Sequence, residues 1–418
     1  MQVNEEAQEK AKSNIEFITN DRPLFGDDKI TYTSSFENLK QYIKDNDIFG
    51  VDTETNGLDP YNSNMLLISI GNQDKKFVVD VTSFNKDNFQ FLLDALEDKN
   101  KLKIFQNVKF DYKQFRRYGI YLKNIWDTML AQQVIFAGYE HLKEYNLAEL
   151  ALGYCGILIS KDVRTRFGNK DNTSTFDSLE VQYAALDVAV LLNIMRKQQE
   201  IISDYEMDFT MEVENRVALM YGEIEYVGFY LDVAEWNRIL KNQKELLQYI
   251  KNQLDENLYN YSQANNLNYT LPKAQTLWGE VTTHGTKKKN QKKYGIVKMN
   301  WNSFNDLVHL YKQIFKIDCK YKAKEGWKEG VNKDVLYRHV DKKFSEKLAE
   351  KHKIEEALEY IEDNINSDDY YQRIHYFLYL YKKVSKFLDS FGDKLLAKIK
   401  PKTNSLHPEI DQIKTTGR

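Results

Sequence analysis

The chain has 418 residues, 42% of them hydrophobic and 29% charged, with a net charge of −3. That length has room for about two or three domains, and the composition excludes a disordered chain. Two cysteines, Cys155 and Cys319, exclude a disulfide framework, and no apolar run approaches the ~18–20 residues of a membrane span, so the expectation is an intracellular, cytoplasmic protein with no membrane partner.

The net charge conceals a division. Residues 1–200 hold 24 basic and 30 acidic side chains, whereas 201–418 hold 35 and 32. Within 271–330 the count is 13 basic to 5 acidic, concentrated in Lys287, Lys288, Lys289, Lys292 and Lys293. Such a cluster suits a polyanion, and a solvated lysine-rich loop reads the same way.

Taken in chain order, residues 1–29 are polar, without clear period, and read as an N-terminal extension. FENLKQYIKDN predicts a helix and IFGVDTET a strand ending in polar residues. MLLISIGN and KKFVVDV predict two more strands, NFQFLLDALED an amphipathic helix, and KLKIFQN another strand. KFDYKQFRRYG predicts a helix ended by Gly119, and IWDTMLAQQVIF one capped by Asp127. Strands mixed with helices up to about residue 205 indicate an α/β layered domain. The rest reads as mainly helical. A helix-and-strand segment at MEVENRVALMYGEIEYVGFYLD precedes nearly thirty residues of helical spacing from Val233, then a loop or ribbon around KKKNQKK. A helix capped by Ser303 and helical stretches at 341–363 and 369–397 complete it.

Three acidic motifs carry the chemistry. Asp52-Thr53-Glu54 closes an apolar strand, and residues i and i+2 of a strand share a face, so two carboxylates stand side by side. Asp111 follows Asn107 just beyond another apolar strand. Tyr183 and Asp187 are one helical turn apart in the apolar run YAALDVAVLL, where a buried acid needs a partner or a cation. Singly, the first two are ordinary features of a solvated strand end and a helix start. Together, four acids at element ends or on a buried face can supply oxygen ligands for two hard cations, Mg2+ or Mn2+, of the kind that hydrolyse phosphodiesters. No phosphate-binding GxxxxGK[ST] or nucleophilic GxSxG motif occurs.

The motifs VDTETNGLDP, QNVKFD and YAALD resemble, in order and spacing, the 3′→5′ proofreading exonuclease domain of family A, polymerase I-like DNA polymerases, over residues 30–205. The resemblance implies a ribonuclease-H-like mixed sheet flanked by helices. It also implies that Asp52, Glu54 and Asp187 hold the cation that activates water, that Asp52 bridges to a second, and that Asp111 supports that second site through its water shell. Tyr183 would orient the attacking water, Glu54 would help steer it, Leu58 would wedge beside the 3′-terminal base, and Asn107 would contact the departing nucleotide. Gln106 stands where the family often has His.

The continuation GEIEYVGFYLD is similar to the family A pattern of an acid (Glu225), a glycine (Gly228) and an aspartate (Asp232) that opens the polymerase domain. Residues 206–418 resemble, more loosely, the N-terminal part of that domain including the thumb, and end in a TGR tract like the one before the palm. The 271–298 segment lacks a counterpart and reads as an insertion. No palm or fingers motif occurs in residues 1–418. The resemblance therefore implies a chain that binds a single-stranded DNA 3′ end and primer-template duplex, and that polymerises only with a palm and fingers polypeptide. Free-standing ribonuclease D-like or Werner-like exonucleases share the three motifs, and a DNA-binding assembly subunit of a polymerase complex is a further alternative.

Overall fold

The computed structural model describes residues 3–21, 26–137, 145–160, 162–267, 299–323, 326–332, 335–336, 338–351 and 354–413. Two compact units emerge: residues through Tyr230 together with those from Lys400 onward form the first, and Leu231–Ile399 the second.

The first unit runs α1 (Glu5–Lys12), β1 (Ile15–Ile18), β2 (Ile30–Thr33), α2 (Glu37–Asp45), β3 (Ile48–Thr55), β4 (Met65–Gly71) and β5 (Lys76–Asp80). It continues α3 (Gln90–Glu97), β6 (Leu102–Phe105), α4 (Val108–Arg117), β7 (Ile125–Asp127), α5 (Thr128–Ile135), α6 (Leu147–Leu150), α7 (Arg164–Phe167), α8 (Ser178–Asp204), α9 (Asp208–Val227) and β8 (Phe229–Tyr230). Seven strands form one mixed sheet in the order β2-β1-β5-β4-β3-β6-β7, with β4 antiparallel to both neighbours and every other pair parallel. This is the ribonuclease-H-like mixed sheet flanked by helices.

All residues of β4 and β5 are buried, as expected of strands covered on both faces. Helix α8 lies against β3, and a glycine makes that approach possible: a Cβ on Gly50 would stand 2.9 Å from the Val188 carbonyl oxygen. Leu191 of the same helix stands 3.1 Å from that position, so no larger residue than glycine fits there. By length and composition α8 could cross a membrane, yet 67% of its most apolar stretch is buried inside this protein.

The stretch expected as an N-terminal extension supplies α1 and β1, and β1 sits second in the sheet. Its apolar pattern is broken by Glu16, which is nonetheless buried, with Lys75 Nζ and Asn38 Nδ2 each 3.0 Å from its carboxylate. Strands β3 to β6 follow their sequence patterns, whereas β2 is not among the expected strands. Helix α4 stops before Gly119, which adopts φ +82°.

The second unit is mainly helical. Asp232 caps α10 (Val233–Ala264) by accepting the Glu235 N–H at 3.0 Å. At ~1.5 Å per residue this helix is about 48 Å long. Ser303 caps α11 (Phe304–His309), which runs on into a π-turn, and an antiparallel hairpin follows of β9 (Lys320–Ala323) and β10 (Gly326–Glu329). The helical stretch expected at 341–363 is two helices, α12 (Lys342–Glu350) and α13 (Ile354–Asn364), and α14 (Tyr370–Phe391) is followed by a one-turn helix at Asp393–Leu396. Leu246, Ile250, Leu254 and Leu258, spaced one turn apart on α10, bury against a core that includes Ile374, Phe377 and Tyr381 of α14. The lysine cluster Lys287, Lys288, Lys289, Lys292 and Lys293 lies outside the described residues.

His375 of α14 is fully buried among Tyr311, Phe315, His339 and Tyr371, with Nδ1 2.7 Å from the Tyr371 carbonyl. Loss of solvation holds its ring down to about 4, with the neighbouring His339 acting in the same direction. Between the ordinary histidine pKa of ~6.5 and about 4, the unfolded chain takes up a proton that the folded chain refuses, so this contribution to stability is complete above the window and is lost as pH falls through it. On going from pH 7 to pH 4, the change in urea-unfolding stability of the parent is expected to be up to about 3 kcal/mol less favourable than that of His375→Phe, the difference isolating this ring from the carboxylates that titrate in the same window.

Candidate metal centre

Strand β3 carries Asp52 and Glu54 on one face near its C-terminal end, and α8 delivers Asp187 to the same place. Carboxylate oxygens of the three lie within 4.8 Å of one another. Glu54 and Asp187 are buried and Asp52 is half-buried. Asp111, buried on α4, stands outside this trio. Thr53, pointing to the opposite side of β3 from its neighbours, donates its hydroxyl to Asp111 Oδ1 at 2.6 Å. Thus the acid motif contributes to the site from both faces of the strand.

Lost solvation is the largest influence on all four acids. It pushes Asp52 up to about 7. Glu54 is raised by burial and then by the charges of Asp52 and Asp187. Asp187 is raised by burial and by Asp52, against a hydrogen bond from Tyr183 that favours its charged form. Asp111 rises by burial and by Asp52, opposed by the Thr53 hydrogen bond. The Tyr183 hydroxyl is driven well above its usual range by burial and then by Asp187, Glu54 and Asp52. The Arg164 guanidinium of α7 favours the charged forms of Asp52, Glu54 and Asp187. Sequence reasoning passed over Arg164, which belongs to no motif.

These residues fit a hard divalent cation. The donor set is entirely oxygen, and Asp187 Oδ1 is buried without a hydrogen-bond partner. A cation here would remove the repulsion that raises the carboxylates.

Asp127 does more than cap α5. Its carboxylate accepts the N–H groups of Met129 (2.8 Å) and Leu130 (3.2 Å), and also those of Asn107 (3.1 Å) and Val108 (2.7 Å) at the start of α4. One buried side chain therefore sets the starts of two helices. It holds Asn107 in the left-handed conformation, φ +63°, that turns the chain into α4 and presents Asp111. Gln106 is fixed by donating to the Tyr145 carbonyl at 2.6 Å and accepting from the Thr128 hydroxyl. Leu58 lies beyond β3 with 76% of its surface exposed.

A mixed sheet with carboxylates clustered on β3 and α8 belongs to a class of metal-compatible α/β folds. Within that class the affinity is specific: residues 28–203 match the family model of the 3′-5′ exonuclease domain of A-type DNA polymerases. Over 251 residues, 54% of this chain and 41% of the relative, the sequence is 26% identical to DNA polymerase I of Aquifex aeolicus. A 113-residue stretch, 26% of this chain and 11% of the relative, is 36% identical to DNA polymerase I of Rhizobium leguminosarum. The POL domain of Pol1 from M. smegmatis, solved in complex with DNA primer-template and dNTP, shares the fold with a TM-score of 0.53 at 13% identity, over 88% of this chain and 50% of that one. The chain spans less than half the length of the curated relatives it matches. Residues 28–203 are thus similar to the 3′-5′ exonuclease domain of A-type DNA polymerases.

Millimolar Mn2+ is expected to raise the thermal midpoint of the protein by several degrees. A ligand at ten to a hundred times its Kd adds about 1.4–2.7 kcal/mol. Asp187→Asn is expected to lose most of that rise in the same melting experiment. Asp127→Ala strips the caps from two helices and is expected to cost about 1–4 kcal/mol in denaturant unfolding, double the usual cost of one cap.

Proposed function

We propose that the first unit is a divalent-metal-dependent 3′→5′ exonuclease acting on single-stranded DNA ends, in a proofreading role. The observation that carries this is the convergence of Asp52, Glu54 and Asp187 within 4.8 Å, inside the stretch that matches the exonuclease family model.

Two bound cations, Mg2+ or Mn2+, would supply the charge that activates water and stabilises the leaving oxygen. Asp52, Glu54 and Asp187 would hold the first, Asp52 would also serve the second, and Asp111 would support the second from its seat beside Thr53. Tyr183, hydrogen-bonded to Asp187 here, would orient the attacking water through its hydroxyl. Glu54 assists in orienting that water. Leu58, exposed beyond β3, wedges against the terminal base, and Asn107 meets the departing nucleotide.

The second unit, on the same reading, belongs to a thumb that engages primer-template duplex. DNA synthesis would draw on palm and fingers residues outside 1–418. A cytoplasmic setting accords with the two unpaired cysteines.

Asp52→Ala and Asp187→Ala are each expected to lower hydrolysis of a 3′-labelled single-stranded DNA by about 10³-fold or more in the presence of Mg2+, the scale of losing a charge-stabilising group. Tyr183→Phe removes one orienting hydrogen bond and is expected to cost about tenfold. Parent-like rates in both aspartate variants would overturn the site assignment. A strong preference for RNA over matched DNA would favour an RNA-processing enzyme instead.

A further inference from the structure

The motif Glu225, Gly228 and Asp232 lies outside the metal centre, yet the structure gives its members distinct jobs. Glu225 is buried near the end of α9. Its carboxylate receives Lys109 Nζ at 2.6 Å, Lys113 Nζ at 2.7 Å and the backbone N–H of Ile410 at 2.9 Å. Lys109 also donates to the Ile410 carbonyl. Positions 109 and 113 of α4 are one turn apart and share a face, while Asp111, between them, projects from the opposite face toward Thr53. Thus a single carboxylate grips the back of the helix whose front carries Asp111.

The segment it grips is the chain's return to the first unit. Ser405–Leu406 pairs antiparallel with β8, and Gly228 makes room for it: its φ is +72°, and a Cβ there would stand 2.6 Å from the Leu406 carbonyl oxygen. His407 Nδ1 lies 2.9 Å from the Glu225 carbonyl. Upstream, Lys400 Nζ pairs with Asp59 at 2.7 Å and Lys402 Nζ donates to the Tyr61 carbonyl at 2.6 Å, both in the loop that follows Leu58. The Tyr61 ring stacks on Tyr226 of α9 with centroids 5.1 Å apart, and its hydroxyl donates to the Tyr226 carbonyl. The same short segment therefore touches the loop of the first acidic motif and the helix of the second.

We infer that residues 400–413, docked through Glu225 and Gly228, are a positioning strap for the nuclease site: they fix the rotation of α4 that seats Asp111 on Thr53, and they steady the loop bearing Leu58. This rests on the exonuclease reading of the metal centre. Glu225 is a positioning residue that acts through Lys109 and Lys113. A functional constellation tolerates only about 0.5 Å of drift, so a looser α4 weakens the site without removing any ligand. Asp232, in the same motif, only caps α10.

The test uses the full chain and three variants. Glu225→Gln keeps the shape of the side chain and removes the charge that holds two lysines. Gly228→Ala displaces the returning strand and leaves every charge in place. Asp232→Ala is the control. For Glu225→Gln and Gly228→Ala, the Mg2+ concentration giving half the maximal rate is expected to rise about five- to tenfold, with kcat down about tenfold and KM for single-stranded DNA within twofold of parent. Amide hydrogen exchange in α4 is expected to accelerate at least tenfold in both, with β3–β5 unchanged, and Asp232→Ala to shift neither readout. Parent-like metal curves and parent-like α4 exchange in both variants would overturn the inference, as would acceleration spread evenly over the whole sheet. If the parent shows no metal-dependent nuclease activity, the exonuclease reading falls, and the exchange measurement still decides whether the strap holds α4.

Discussion

Everything in the first unit serves one uncomfortable arrangement, the crowding of carboxylates at the end of β3. Two unit charges 4.8 Å apart repel by on the order of 3 kcal/mol even at an effective dielectric of 20, and burial adds to the cost. The fold must hold these groups together against that force. It does so with the stiffest parts available, an interior strand of a seven-stranded sheet and a 27-residue helix packed on it. Gly50 allows the helix backbone to within touching distance of the strand, and Asp187 arrives one residue before the point of closest approach.

Much of this is legible in the amino-acid sequence. Period-two alternation places Asp52 and Glu54 on one face, and the apolar run around Asp187 announces a helix buried on all sides. The eight elements expected between residues 36 and 136 occupy their anticipated places because their burial and their local propensity agree. The extension expected at the N-terminus is where this agreement fails: β1 is four residues long and includes Glu16, and nothing local reveals that Lys75 and Asn38 await it across the fold. Asp127 is legible as a cap for one helix, but its second set of partners comes from a segment twenty residues earlier. Arg164 lies on a four-residue helix outside any motif, and only proximity in space brings its charge to bear on the acids. What escaped sequence reading is thus long-range pairing of charge, which leaves no periodic trace.

The uneven division of charge also gains a meaning. The acidic first half spends part of its excess on the metal centre, while the basic residues that return at Lys400 and Lys402 meet acceptors of the first unit at Asp59 and Tyr61. Lys109 and Lys113 complete the pattern from within, flanking Asp111 in sequence and facing away from it in space. Helix α4 is in this way a rod with an anionic front and a cationic back, each side matched to a different neighbour.

The first unit is assembled from two distant pieces of chain, and this has a consequence for birth on the ribosome. At about 5–20 residues per second, the stretch from Leu231 to Ile399 takes roughly ten to thirty seconds to emerge after Tyr230. Throughout that interval the sheet and its acids have been synthesised, yet the Ile410 N–H that belongs to Glu225 and the strand that belongs beside Gly228 have not. The nascent nuclease therefore waits with an open slot, and the last dozen described residues act as a latch delivered late. Its closure joins segments far apart in the chain, so its loop entropy is fixed by everything translated in between. Insertions in the helical unit lengthen this wait in direct proportion, while their thermodynamic toll grows only logarithmically.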